Sequence, residues 1–149
     1  MNKRMVVFLA AIIVTAIGLE LYSYINVSGT QIVGASEIST AAVTVEKTDT
    51  ADPANNQTWT LDDGQKANLQ KMVLASGFKR TGKTELKNVS GQQYIIKADF
   101  GTSAAPLIIT SFGSEYALVA DQFGGKYLSI LNYNWQKQLE SIITNTPLK

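Results

Sequence analysis

The stretch LIITSFGSEYALVA, residues 107–120, decides the fold of this chain. Six residues that are mostly apolar, β-branched or aromatic precede Gly113-Ser114, and a second apolar run follows the turn. Two short runs of β-forming residues around a tight turn are typical of a β-hairpin. We therefore predict antiparallel strands at 107–112 and 116–120.

Further strand patterns lie on both sides of this hairpin. Residues 93–100 are rich in β-formers, and residues 127–133 follow a turn expected at Gly124-Gly125. A weaker strand pattern covers residues 83–89. Short strands at this spacing predict an antiparallel meander sheet of four to five strands.

One predicted helix precedes the sheet, at residues 61–76. Thr60 is the expected N-cap because Asp63 follows three residues later, as in a capping box. Apolar residues such as Leu69 and Val73 then recur at helical spacing. Their stripe is expected to face the core.

A second helix is predicted to follow the sheet, with Asn134 at its N-terminus. Its apolar face would pack on one face of the sheet. The residues of that face are Trp135, Leu139, Ile142 and Ile143. The sequence thus predicts an α+β fold: a helix, an antiparallel meander and a C-terminal helix.

The N-terminal segment has the pattern of an export signal or a membrane anchor. Lys3 and Arg4 precede an apolar run at residues 5–19. That run alone is short for a bilayer, but residues 5–25 reach the roughly 20 residues that a span requires. Because the two cations favour a cytoplasmic N-terminus, both alternatives place the rest of the chain outside the cytoplasm.

Cleavage and retention of this segment remain alternative hypotheses. Val33 and Ala35 are small enough for a signal-peptidase site, which would make Ser36 the new N-terminus. If the segment is not cleaved, we expect membrane contact only through residues 5–25. Together with the absence of cysteine, such a leader resembles those of exported proteins of Gram-positive bacteria.

The sequence divides into three parts on this interpretation. Residues 1–35 would be the signal peptide or anchor, and residues 36–58 a flexible linker rich in Ser, Thr, Asp and Asn. Residues 59–149 would form the compact α+β domain. A short strand at residues 42–45 is the alternative to an entirely flexible linker.

Composition excludes several function classes. The chain has no cysteine and no histidine, so disulfide scaffolds and hydrolases that use Cys-His or Ser-His pairs are ruled out. Two of its 13 Lys and Arg and one of its 12 Asp and Glu fall in residues 1–35, which leaves eleven of each beyond them. Because these charges are balanced and scattered, we expect no nucleic-acid partner. No metal and no cofactor are expected either.

The leading functional hypothesis is an exported, non-catalytic domain that binds a protein or a surface polymer, with inhibitors and immunity proteins as special cases. Its candidate binding face is the sheet face that the helices leave open. Alternate strand residues point to opposite sides, so Ile95, Lys97 and Asp99 share the predicted open face. Tyr94, Ile96 and Phe100 would face the core.

Two other function classes remain open. The first is a membrane-anchored structural subunit of an envelope or filament complex, which a helix continuing past residue 36 would favour. The second is a carboxylate-based hydrolase, which would need two acids in one pocket. Its candidates are Glu85, Asp99, Glu115 and Asp121.

Overall fold

The computed structural model describes most of the chain, in seven ranges. They are residues 3–34, 37–49, 51–81, 92–101, 105–121, 124–132 and 134–145. The predicted strand at 83–89, with Glu85, lies outside the described residues. So do Ala35 and Ser36 of the predicted cleavage site.

The described residues form one antiparallel sheet of eight strands. The strands are β1 (Asn26–Ser28), β2 (Ala42–Asp49), β3 (Gln57–Thr60), β4 (Gly77–Arg80), β5 (Gln92–Asp99), β6 (Leu107–Phe112), β7 (Tyr116–Asp121) and β8 (Gly124–Ile130). Their order across the sheet is β1-β4-β8-β7-β6-β5-β2-β3. The α+β class and the antiparallel sheet are confirmed, whereas the prediction of four to five strands was too low.

In the described part of the chain, four helices accompany the sheet. They are α1 (Lys3–Ile25), α2 (Gly29–Val33), α3 (Asp63–Ala75) and α4 (Trp135–Thr144). Single 3₁₀ turns occur at Ile38–Thr40 and Pro53–Asn55. Helix α3 connects β3, the strand at one edge of the sheet, to β4, which is second from the opposite edge.

The central hairpin has the predicted strands. Phe112 pairs with Tyr116, so the turn contains three residues, and Gly113 adopts a left-handed φ of 63° there. Glycine adopts this conformation without the steric cost of a Cβ. The predicted turn at Gly124-Gly125 was wrong, because both glycines belong to β8 and Gly124 pairs with Asp121.

The predicted flexible linker at residues 36–58 was also wrong. Strand β2 pairs with β5 along its whole length, from Ala42 opposite Asp99 to Asp49 opposite Gln92. Val43 and Val45 are at most 1 % exposed. Two buried side chains and a full ladder outweigh the polar composition of this segment. It belongs to the folded part of the chain that follows α1, from Asn26 of β1 to Thr144 of α4, which we call the head.

The first long helix of the head begins two residues later than predicted. Thr60 ends β3, and Asp62 is the N-cap of α3. Asp62 Oδ1 accepts a hydrogen bond from the Gln65 backbone N–H at 2.8 Å, and Gln65 Oε1 accepts one from the Asp62 N–H at 3.0 Å. This is a capping box shifted along the chain.

The core lies between one face of the sheet and helices α2, α3 and α4. Leu69 and Val73 of α3 and Trp135 and Leu139 of α4 are fully buried in it. The prediction of Trp135 and Leu139 as core residues is confirmed. In the last turn Ile143 is buried at 5 % exposure, whereas Ile142 is only half-buried.

Candidate functional site

The three predicted binding residues lie on one side of β5, the side away from the core. Lys97 and Asp99 are exposed and Ile95 is half-buried. Their neighbours Tyr94, Ile96 and Ala98 are each 1 % exposed on the other side. The predicted alternation of this strand is therefore observed, although Phe100 follows the strand and is only partly buried.

Strand register brings apolar side chains beside these residues. Ile95 lies opposite Thr110, and Thr110 lies opposite Leu118. Lys97 lies opposite Ile108. Residues paired in this way point to the same side of a sheet.

The next row of the same face is aromatic. Gln93 lies opposite Phe112, and Phe112 lies opposite Tyr116. We call the surface formed by these side chains the open face. Its apolar members are Ile95, Ile108, Phe112, Tyr116 and Leu118, all of them half-buried.

Charged side chains border the apolar centre of the open face. Glu46 lies opposite Ile95 on β2 and is exposed, and Lys97 and Asp99 follow along β5. The buried residues of α3 and α4 belong to the core on the opposite side of the sheet. Apolar side chains grouped around Thr110, with charged residues beside them on β2 and β5, make a mixed surface of the kind found at protein interfaces.

Among the described candidate acids, Glu115 is separated from Asp99 and Asp121 by the length of β6. Asp99 lies at the end of β5 where β6 begins, since Ala98 pairs with Leu107. Glu115 lies in the turn after the other end of β6. Asp121 ends β7.

The surroundings of Asp99 indicate a local structural role. Asp99 Oδ1 accepts a hydrogen bond from the Gly101 N–H at 3.0 Å, which closes a turn. Within the described part of the chain, no three Asp or Glu residues lie close enough to hold a metal ion.

A polar cluster beneath α4 was not found from the sequence. The Tyr94 hydroxyl donates to Glu140 Oε1 at 2.6 Å, and Gln136 Nε2 donates to the same oxygen at 2.9 Å. The Gln136 backbone N–H also donates to Ser114 Oγ at 3.0 Å. The available signal was the spacing of Gln136 and Glu140, one helical turn apart on α4.

This cluster is suited to holding α4 on the sheet. Burial raises the pKa of Tyr94 above its ordinary value, and the hydrogen bond to Glu140 and its charge raise it further. The phenol therefore stays protonated and acts as a donor. Because Tyr94 is 1 % exposed, a substrate could not reach it without rearrangement of the core.

The residues around the predicted cleavage site are buried on both sides. Val33 precedes Ala35 and is 7 % exposed, and Ile38 follows Ser36 and is fully buried. Farther towards the N-terminus, Met5–Tyr22 within α1 is long and apolar enough to cross a membrane, and none of it is buried. This helix ends at Ile25, and the head begins at the next residue, Asn26.

Comparisons with models of known protein families, with curated proteins and with solved structures found no match. The functional argument therefore rests on the geometry of the open face and on the N-terminal helix.

Proposed function

We propose that this protein is an extracytoplasmic, non-catalytic interaction domain that binds a protein partner at the cell surface through the open face. The observation that carries the proposal is the composition of that face. Aliphatic and aromatic side chains surround Thr110 on this face, and Glu46, Lys97 and Asp99 add both signs of charge beside them. Protein interfaces combine apolar and charged side chains in this way.

A protein partner fits this surface better than a surface polymer. Ile95, Ile108 and Leu118 offer no hydrogen-bonding groups, whereas a polysaccharide presents hydroxyl groups that would lose their water when buried against them. Burial of the same three side chains against apolar groups of a protein is favourable, at roughly 25 cal/mol per Å² of apolar surface. Inhibitor and immunity proteins are examples of such a partner-binding role.

The other two function classes have less support. Helix α1 ends at Ile25, so the continuation past residue 36 that would favour the structural-subunit hypothesis is not present. A hydrolase of the proposed kind needs two neighbouring carboxyl groups. Asp99 and Glu115 lie at opposite ends of β6, and Asp99 and Asp121, at the same end, are on strands separated by β6.

The proposal is tested by cross-linking on intact source cells with a membrane-impermeant reagent. The bait is the full-length chain with a C-terminal tag, either unchanged or carrying Leu118→Glu on the open face. Leu74→Glu is the matched control, because Leu74 is 41 % exposed on α3. Both variants are first checked for an unchanged thermal transition.

We expect a protein adduct with the unchanged chain and with Leu74→Glu, and its loss with Leu118→Glu. Equal adducts from all three chains would contradict binding through the open face. An adduct with a polysaccharide instead of a protein would contradict the choice of partner.

A further inference from the structure

The folded head begins where the apolar helix ends. Helix α1 runs to Ile25, and β1 begins at Asn26 with no residue between them. Asn26 Nδ2 donates to the Tyr22 carbonyl oxygen at 3.1 Å, which satisfies one of the free carbonyls at the end of the helix. Val27 of β1 then pairs with Phe78 of β4.

The segment 26–34 is packed into the head. Val27 and Val33 are each 7 % exposed within the core cluster. The Gly29 N–H donates to the Ser76 carbonyl oxygen at 3.2 Å. A Cβ atom at Gly29 would overlap the Val73 carbonyl, so the backbone approaches α3 as closely as a glycine permits.

These contacts oppose removal of the N-terminal segment. Cleavage after Ala35 would delete β1 and α2, and β1 is one of the two strands that pair with β4. A protease that cuts between residues 26 and 34 would have to extract a segment that is paired and partly buried. Removal of α1 by a cut at any of these positions would therefore cost the head part of its core.

The dimensions of α1 match a bilayer. Its 23 residues correspond to a length of about 34 Å at 1.5 Å per residue, against roughly 30 Å of hydrocarbon. Glu20 lies in the last third of the helix, where a carboxylate is less costly than at the centre of the membrane. Lys3 and Arg4 lie at the other end, which favours a cytoplasmic N-terminus.

We infer that α1 is retained as a permanent membrane-spanning helix whose partner is the lipid bilayer. The head then starts at the extracytoplasmic surface of that bilayer, without a tether. This inference rests on the export that the proposed function includes, but not on binding through the open face. It replaces the hypothesis of cleavage after Ala35.

The test uses the full-length chain with a C-terminal tag, produced in a bacterium that carries signal peptidase. Membranes are washed with alkaline carbonate, and the intact mass of the retained protein is measured. A parallel sample of Ala35→Leu, which a signal peptidase would not accept at that position, provides the matched control. Protease added to intact cells without an outer membrane reports whether the tag is outside.

We expect both chains to stay in the washed membrane with masses that include residues 3–25, and the tag to be digested from outside. An exposed tag on a chain that starts at Ser36, or elsewhere after Ile25, would overturn the inference and leave the proposed function standing. Release of the uncleaved chain by carbonate would also overturn it. A protected tag would overturn both the inference and the proposed export.

Discussion

Gly29 packs against Val73 so closely that a side chain at Gly29 would overlap the carbonyl oxygen of Val73. This contact joins the first residues after α1 to the last turn of α3. Protein interiors are close-packed, so even one added methyl group is felt where no space remains. The pair therefore offers a direct probe of whether the segment 26–34 belongs to the head.

Gly29→Ala should destabilise the head. We expect a loss of about 1–3 kcal/mol in the free energy of unfolding, the usual cost of overpacking. The measurement is urea unfolding of the full-length chain in detergent. Gly18→Ala is the control, because a Cβ at Gly18 meets no atom within 4 Å. Equal stabilities of the two variants would show that the segment is not docked.

Leu139→Ala should open a cavity beneath α4. Leu139 is fully buried, and a Leu→Ala change at such a site costs about 2–5 kcal/mol. Leu131→Ala is the matched control, since Leu131 is 52 % exposed and surface changes usually stay within about 0.5 kcal/mol. The free energies of unfolding of both variants are measured by chemical denaturation. Similar losses of stability would contradict the packing of α4.

Asp62→Ala should cost more than Thr60→Ala, although the sequence favoured Thr60 as the cap. Asp62 accepts a hydrogen bond from the Gln65 backbone, and loss of an N-cap costs about 0.5–2 kcal/mol. Thr60 is exposed at the end of an edge strand, so its substitution should be nearly neutral. Thermal unfolding of the two variants measures the difference. A larger loss of stability for Thr60→Ala than for Asp62→Ala would mean that Thr60 is the N-cap.

Tyr94→Phe should change how stability depends on alkaline pH. The folded chain holds the pKa of Tyr94 above its ordinary value of about 10. The unfolded chain thus loses this proton first, so the contribution is complete below pH 10 and declines as the pH rises further. Unfolding free energies measured from pH 8 upward should fall more steeply for the unchanged chain than for Tyr94→Phe. Parallel curves would contradict burial of the protonated phenol.

A chain shortened to residues 59–149 should fail to fold. It lacks β2, which pairs with β5 at eight positions and buries Val43 and Val45. Calorimetry of this fragment should show no cooperative transition. A fragment beginning at residue 26 retains every strand of the sheet and is the control. A cooperative transition in the shorter fragment would mean that β2 is dispensable.

The parts of the fold with strong local patterns could be predicted from the sequence. The hairpin around Gly113 has matched strands and a glycine where a positive φ is required. The α4 helix has a clear apolar stripe, of which Trp135 and Leu139 are fully buried. In β5 the alternation of Tyr94 and Ile95 correctly separated the two faces.

The remaining strands depend on contacts between distant residues. Strand β2 has few bulky residues and is stabilised by its ladder with β5, about 50 positions later in the chain. Strand β1 has only three residues and directly follows an apolar helix, so its pattern merges with that of the leader. The apolar centre of the open face likewise emerges only when register places Thr110 between Ile95 and Leu118.

The central claim, that the open face is a covered binding surface outside the cell, can be tested by cysteine labelling. The chain has no cysteine of its own, so single substitutions report one position each. Lys97→Cys places a thiol on the open face, and Lys71→Cys places one on α3; both lysines are exposed. The rates of reaction with a membrane-impermeant maleimide are compared on intact source cells and after purification.

On cells, Cys at position 71 should react quickly and Cys at position 97 slowly, and the two rates should become similar in the purified protein. Equal, fast labelling of both positions on intact cells would contradict the proposal that a partner covers the open face. Labelling of neither position until the cells are lysed would contradict export of the head.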